Sequence, residues 1–293
     1  MTPVSATAEL PVGVEHAVAA SRRRLLARVV ASPAGAVGLT LLGVVVIVAV
    51  LAPVLAPTDP FAIEGPSLAP PSAEHIMGTD ALGRDTFSGV VHGARTSLLV
   101  AGAVGVLVLV IGVAVGTLAG YRGGWIDDVL MRFTEFFQVL PRFFLAIVVI
   151  ALFGPGLDRL VLVLGFTSWA LLARVVRAEV LSLREREFVE AARASGASAL
   201  RIVAREILPN ALPAGIVYLG LLLAQVMLIE ASLGFLGLGD PNLISWGYLA
   251  SEAQRFLRVA WWLSLFPGLA IVVAVLGLNL LADALTDVLG GRR

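Results

Sequence analysis

The feature that most limits this chain is the recurrence of apolar runs of about 20 residues, the length needed to cross a hydrocarbon core of roughly 30 Å as a helix. Such runs occupy residues 34–56, 97–119, 129–152, 157–176, 211–236 and 261–285. A backbone in hydrocarbon finds no water, so runs of this length resolve as helices that bond internally. The expected fold class is therefore an all-α polytopic membrane protein with six transmembrane helices. With 58% hydrophobic and only 14% charged residues in 293, the chain has too little polar surface for a water-soluble globule of its size.

Several kinds of chemistry are excluded by what is missing. There is no cysteine, hence no disulfide, thiolate metal site or thiol nucleophile. All 21 basic residues are Arg, and a phosphate-binding GxxxxGK[ST] loop cannot exist without its lysine. Any ATP-driven work needs a second chain to hydrolyse the nucleotide. The histidines His16, His75 and His92 lie outside the apolar runs, and neither HExxH nor GxSxG occurs. An intramembrane hydrolase has little to build on. Residues 21–26, SRRRLL, resemble a twin-arginine export signal, but the run that follows is longer than a signal's apolar region and fits an uncleaved span.

Arginine placement orients the spans. On the side holding the N-terminus, the 121–128 turn, the 177–210 connection and the C-terminus there are 15 Arg, against five on the other, with Arg142 uncounted inside the third run. The positive-inside bias places the first side, and both termini, in the cytoplasm. The expected organisation is a cytoplasmic segment 1–33, a first span 34–56, an external loop 57–96 and a core 97–290 carrying five spans. Trp246, Trp261 and Trp262 then fall near the outer interface, where an aromatic belt is expected.

Between the fourth and fifth runs lies a polar, arginine-bearing island, EAARASGASALRIVAREILP at residues 190–209. Phe188 and Ala192 stand one helical turn apart, and Leu200, Val203 and Ile207 form a second stripe at i, i+3, i+7. Gly196 between them can take the positive φ of a tight reversal, and Ser198 can cap the second helix. Pro209 and Pro213 are expected to break the path into the fifth span.

These residues resemble the permease subunits of ATP-binding-cassette importers, and within them the C-type subunit of dipeptide, oligopeptide and nickel importers. The family's loop pattern is matched by Glu190, Ala191, Ala192, Gly196, Leu208 and Pro209, with Glu206 at a position usually held by Ile and, in peptide importers, His. Around it stand PSAEHIMGTDALGRD at 71–85, GARTSL at 93–98, GYRGGWIDDVLMR at 120–132, LPNALP at 208–213, EASLGFLGLG at 230–239, SWG at 245–247, PGLAI at 267–271 and LNLLADALTD at 278–287. Departures are His92 for a usual Tyr, Ala282 for Gly and Thr286 for Arg.

The resemblance implies a type I importer permease fold in a prokaryotic plasma membrane. This chain would be half of a channel, paired with a homologous second permease, two ATPase subunits and an external solute-binding protein. ATP and Mg would reside on the ATPases, and no cofactor, metal site or nucleic-acid partner is expected in this chain. The EAA loop would be the coupling element, docking on an ATPase through its apolar face with Arg193, Arg201 and Arg205 at the rim. Peptides are the expected cargo, and nickel or another small solute the alternative. A secondary transporter acting alone predicts inverted repeats, which the sequence does not display.

Polar residues inside the runs mark a candidate path. Glu135, Gln138 and Arg142 fall at i, i+3, i+7 beside Pro141, and a charge at mid-bilayer costs about 2.5–3.5 kcal/mol, so this face is expected to point away from lipid. One reading makes it line the passage, with Arg142 meeting a peptide carboxylate; the other leaves Arg142 in a structural ion pair. Glu230 and Asn279 are expected to hydrogen-bond between spans, and Asp283 and Asp287 to be solvated. In the external loop, His75, Asp80, Asp85 and His92 are ligand types. Ordering of that loop by local ion pairs among Asp80, Arg84 and Asp85 is the expectation.

Overall fold

The computed structural model describes residues 27–290; Arg22, Arg23, Arg24, Arg292 and Arg293 of the orientation argument lie outside them. Helix α1 (Pro33–Val50) starts on the Ser32 hydroxyl, which accepts from the Gly35 amide, with Pro33 at the first helical position. The first span was expected to run to residue 56. Instead it bends at Leu51 into a short helix α2 (Ala52–Leu55) with Pro53 in its first turn.

Helix α3 (Thr86–Arg122) has 37 residues. At 1.5 Å per residue it is about 55 Å long, well beyond a hydrocarbon core. Its start corrects the external-loop boundary, since residues 86–96 are helical. The reason is a cap: the Asp85 carboxylate accepts from the Ser88 amide at 2.8 Å and begins the helix inside the loop. At the far end Gly123, at φ 65°, turns the chain into α4 (Gly124–Val139).

The third span is broken. Helices α4 and α5 (Arg142–Phe153) meet at 75°. Pro141 supplies no amide, and the residue before it, Leu140, is extended at φ −68° and ψ 121° as a following proline requires. Helix α6 (Leu157–Arg184) returns across the bundle and leads through α7 (Glu187–Ala194) and α8 (Ala199–Ile202) into α9 (Leu208–Phe235). Helix α10 (Trp246–Ala253) and α11 (Trp262–Gly290) complete the chain. Among the described residues five helices are long and apolar enough to cross a membrane, and the bent pair makes six if counted as one span.

Two apolar clusters hold the bundle. One joins Val104 and Val108 of α3 to Leu164, Leu172 and Val176 of α6 and to Leu222 and Val226 of α9. The other packs Val45 and Ala49 of α1 with Ala101, Met227, Ala274 and Leu278. The closest approach is between α3 and α6. A Cβ at Gly116 would sit 2.5 Å from the Ala173 carbonyl oxygen, one at Gly112 2.9 Å from Leu172, and one at Gly120 2.9 Å from the Arg177 carbonyl oxygen. Gly112, Gly116 and Gly120 are four apart, one small-residue seam down the helix.

The tryptophans are not the expected belt. Trp246 and Trp262 are buried, with their indole N–H groups donating to the Val90 and Thr79 carbonyls at 2.9 and 3.2 Å. Only Trp261 of the three is exposed. A buried indole needs a partner for its N–H, and these two find theirs at the end opposite the island, where the 56–85 segment folds back on the bundle.

Filling the seam is expected to cost about 1–3 kcal/mol by overpacking. Gly116→Leu should lower the thermal unfolding midpoint in detergent, whereas Gly102→Leu, where an added Cβ meets nothing within 4 Å, should leave it unchanged. Equal effects at both positions would refute the seam.

Candidate functional site

The island has two faces. Val189, Ile202 and Ile207 are fully buried and belong to the core cluster that contains Val176 and Val180 of α6. On the outside, Leu200 is 79% exposed and Phe188 40%, with Arg193, Arg201 and Arg205 also exposed. The expected stripe of Leu200, Val203 and Ile207 is thus corrected: Ile202 and Ile207 point inward, and Leu200 points out. Glu190, Ala191 and Pro209 are exposed, and Ala192 and Leu208 half-buried.

The reversal is a Schellman turn. Gly196 sits at φ 80°; its amide donates to the Arg193 carbonyl, and that of Ala197 to the Ala192 carbonyl at 3.0 Å. Ser198 then caps α8, accepting from the Arg201 amide at 3.4 Å. The expected break at Pro209 and Pro213 is absent, because the helix runs through both. A π turn over Val203–Ile207 intervenes, with the Leu208 amide bonding the Val203 carbonyl. Pro209 can offer no amide to the turn below, and the wider turn absorbs the mismatch. The Asn210 side chain donates to the Glu206 carbonyl at 2.6 Å. The second half of the island, from Ala199 on, is therefore one continuous rod with the fifth span, and α7 is set off from it by the reversal at Gly196.

Helix α6 holds the neighbouring elements by its arginines. Arg177 grips Asp127 of α4 through two parallel bonds, Nε to Oδ1 and Nη2 to Oδ2, a planar fork-to-carboxylate fit. Arg174 donates to Gln138 Oε1 at 2.9 Å, and Arg184 to the Gly120 carbonyl at 3.0 Å, closing the end of α3. None of these pairings was legible in sequence. The i, i+4 glycines of α3 were not among the expectations either, although their small-residue spacing is a signal that could have found the close contact.

The broken span also separates Glu135, Gln138 and Arg142, which do not share one helical face. Glu135 is exposed, Gln138 is bound to Arg174, and Arg142 opens α5, half-buried. Among the described residues no carboxylate lies within ion-pairing distance of Arg142, so the expected structural ion pair is not there. Glu230 of α9 is 5% exposed and bonded across helices: Ser97 Oγ of α3 donates to its Oε2 at 3.2 Å, and Ser245 at the start of α10 lines the same small cleft. Ser97 Oγ also accepts from the Trp246 amide at 3.4 Å. Asn279 is half-buried and makes no interhelical hydrogen bond among the described residues, contrary to the expectation. Asp283 and Asp287 are exposed.

At the opposite end the 56–85 segment is compact. Asp80 Oδ1 accepts from the Leu82 and Arg84 amides at 2.8 and 2.9 Å, and Arg84 Nε lies 4.0 Å from Asp80 Oδ2. His75 Nδ1 lies 3.1 Å from Asp85 Oδ1, and Arg84 also donates to the Tyr248 hydroxyl at 3.3 Å, tying the lobe to α10. His92 bonds the Ala56 carbonyl at 3.0 Å. No group of three or more metal-ligating side chains gathers among the described residues.

Glu230→Ala would strand the buried Ser97 hydroxyl, at a cost of about 1–3 kcal/mol for an unsatisfied buried group. Glu230→Gln keeps an acceptor. The alanine variant should unfold at lower temperature in detergent and the glutamine variant close to wild type; the reverse order would mean that the carboxylate does not serve as the acceptor joining α3 and α9.

Comparison with known proteins places this geometry. Residues 112–293 match the family described as binding-protein-dependent transport system inner membrane component. The chain is 40% identical over 256 residues to the dipeptide transport system permease protein DppC of Alkalihalophilus pseudofirmus, covering 86% of this chain and 84% of that one. It is 37% identical over 260 residues to the di/tripeptide transport system permease protein DppC of Pseudomonas aeruginosa, covering 86% of each. Its fold is similar to a chain in an inward-facing structure of the MetNI methionine ABC transporter, at TM-score 0.54 and 21% identity, covering 68% of this chain and 96% of the other. With six apolar helical segments and relatives of this closeness over most of its length, the chain belongs to the binding-protein-dependent transport system inner membrane components and is a multi-pass protein of that membrane.

Proposed function

We propose that this chain forms one half of the translocation channel of an ATP-driven peptide importer and couples that channel to ATPase subunits on separate chains. The observation that carries the coupling role is the two-faced island. Its inward face is locked into the core by Val189, Ile202 and Ile207, while Phe188 and Leu200 stand exposed within a rim of arginines. An exposed apolar knob ringed by charge is the anatomy of a protein contact. Because the island's second helix continues from Ala199 into α9 without a joint, force applied there moves a membrane-spanning rod rather than a loop. The absence of lysine leaves no phosphate loop in this chain, in keeping with hydrolysis elsewhere.

The peptide cargo rests on the names of the relatives, which are peptide permeases. The partners are a homologous permease, two ATPases and a solute-binding protein, with ATP and Mg on the ATPases. Arginine placement supports cytoplasmic termini and a cytoplasmic island. Glu135, Gln138, Arg142, Glu230 and Asn279 remain the proposed path residues, with the unpaired Arg142 at the start of α5 the one suited to a passing carboxylate and Glu230 holding the path's outer end in shape. His75, Asp80, Arg84 and Asp85 shape the surface offered to the binding protein.

Gly196→Val puts a β-branched residue at φ 80°, a conformation that costs an L-residue about 1–2 kcal/mol. Membrane insertion should be intact and transport-linked ATP hydrolysis lost; unchanged hydrolysis would remove the mechanical role of the reversal. Arg142→Ala should reduce uptake of free peptides more than that of C-terminally amidated ones. Equal losses for the two would sink the carboxylate role.

A further inference from the structure

Two clefts share a wall at the end of the bundle opposite the island. The first, about 420 Å³, lies between α1 and α3 and is lined by Val46, Ala49, Val50, Pro53, Leu98 and Leu99, with Arg95 at its mouth. The second, about 380 Å³, shares Arg95 and Leu99 with the first and has Asp59, His92, Thr96 and Asn242 among the apolar side chains of its walls. An acyl chain needs an apolar slot, and its headgroup needs polar partners beyond the phosphate. Apart from the shared Arg95, the polar side chains belong to the second cleft and not the first.

The charges match the same occupant. Arg95 is exposed and forms no ion pair among the described residues. It stands one turn before the apolar run of α3 begins at Leu98, at the level where a lipid phosphate sits beside a span. Asp59 is also exposed and forms no ion pair among the described residues, with one carboxylate oxygen accepting from the Phe61 amide at 2.9 Å. The second cleft therefore offers a cation for a phosphate and an anion for an amine. His92, on the same wall, is engaged by the Ala56 carbonyl.

We infer that this groove is a phospholipid site that favours an aminophospholipid, with one acyl chain between α1 and α3, the phosphate on Arg95 and the headgroup ammonium at Asp59. The site is separate from the island and from the proposed path, so it stands or falls apart from the transport reading. A lipid seated there fills the cleft between α1 and α3 and ties the first span to the rest of the bundle.

The test is native mass spectrometry of the full-length complex after exchange into micelles containing equal amounts of phosphatidylethanolamine and phosphatidylglycerol. Wild type should retain the ethanolamine lipid in preference. Arg95→Gln should lower retention of both lipids by about five-fold, the contribution of one basic side chain near a membrane surface. Arg95→Lys should restore most of it, and Asp59→Asn should abolish the preference for the amine headgroup while retaining the phosphate. Leu99→Trp, which fills the shared wall, should expel the lipid with Arg95 in place and so guards against a folding artefact in the arginine variant. Retention by Arg95→Gln equal to wild type overturns the site, as does Leu99→Cys cross-linking in native membranes to another subunit, which would place protein in the groove.

Discussion

The contact between α3 and α6 is the interaction on which the rest of this structure depends. Within a bilayer the apolar effect does little to bring helices together, and association relies on van der Waals fit and hydrogen bonds. Gly112, Gly116 and Gly120 supply that fit by letting the backbone of α3 lie against Ala173, Val176 and Arg177 of α6. With α6 so placed, its arginines reach Asp127, Gln138 and the Gly120 carbonyl, and its end at Arg184 delivers the island to the edge of the bundle. The same helix thus sets the broken span on one side and the exposed rod on the other.

The proposed function draws on stiffness at one end of that frame and breakage in the middle. After the Schellman turn at Gly196, a capped helix and a π turn make the island's second half continuous with α9. Pro209 would ordinarily stop such a helix, and the wider turn with the Asn210 bond to the Glu206 carbonyl carries the chain past it. Pro141 meets no such accommodation, so α4 and α5 part at 75°. Two prolines with the same chemistry therefore have opposite outcomes, decided by whether nearby backbone groups find other partners.

Much of this was legible in the sequence. Apolar run lengths located the spans, with errors at ends where a cap such as Asp85 extended a helix into a loop. The island, its reversal at Gly196 and the cap at Ser198 could be placed from residue types and spacing alone, as could the local ordering of the 71–85 segment by Asp80 and Arg84. Glu230 was expected to bond between spans and does so. Its partner Ser97 was not foreseen, because it lies 133 positions away.

What the sequence by itself determined is the membrane class, the number of apolar segments, the absence of a nucleotide-binding loop and the family. These depend on local run length, composition and fixed spacing, which survive any arrangement of the helices. Tertiary structure alone decided which face of each helix was buried, and hence that Leu200 is exposed while Ile202 is not, that Trp246 and Trp262 serve the interior, and that Arg142 has no ion-pairing carboxylate among the described residues. A stripe of apolar residues reports that a face is apolar. It does not say whether protein or lipid will cover it, since both are equally dry, and only the packing of one helix against another makes that choice.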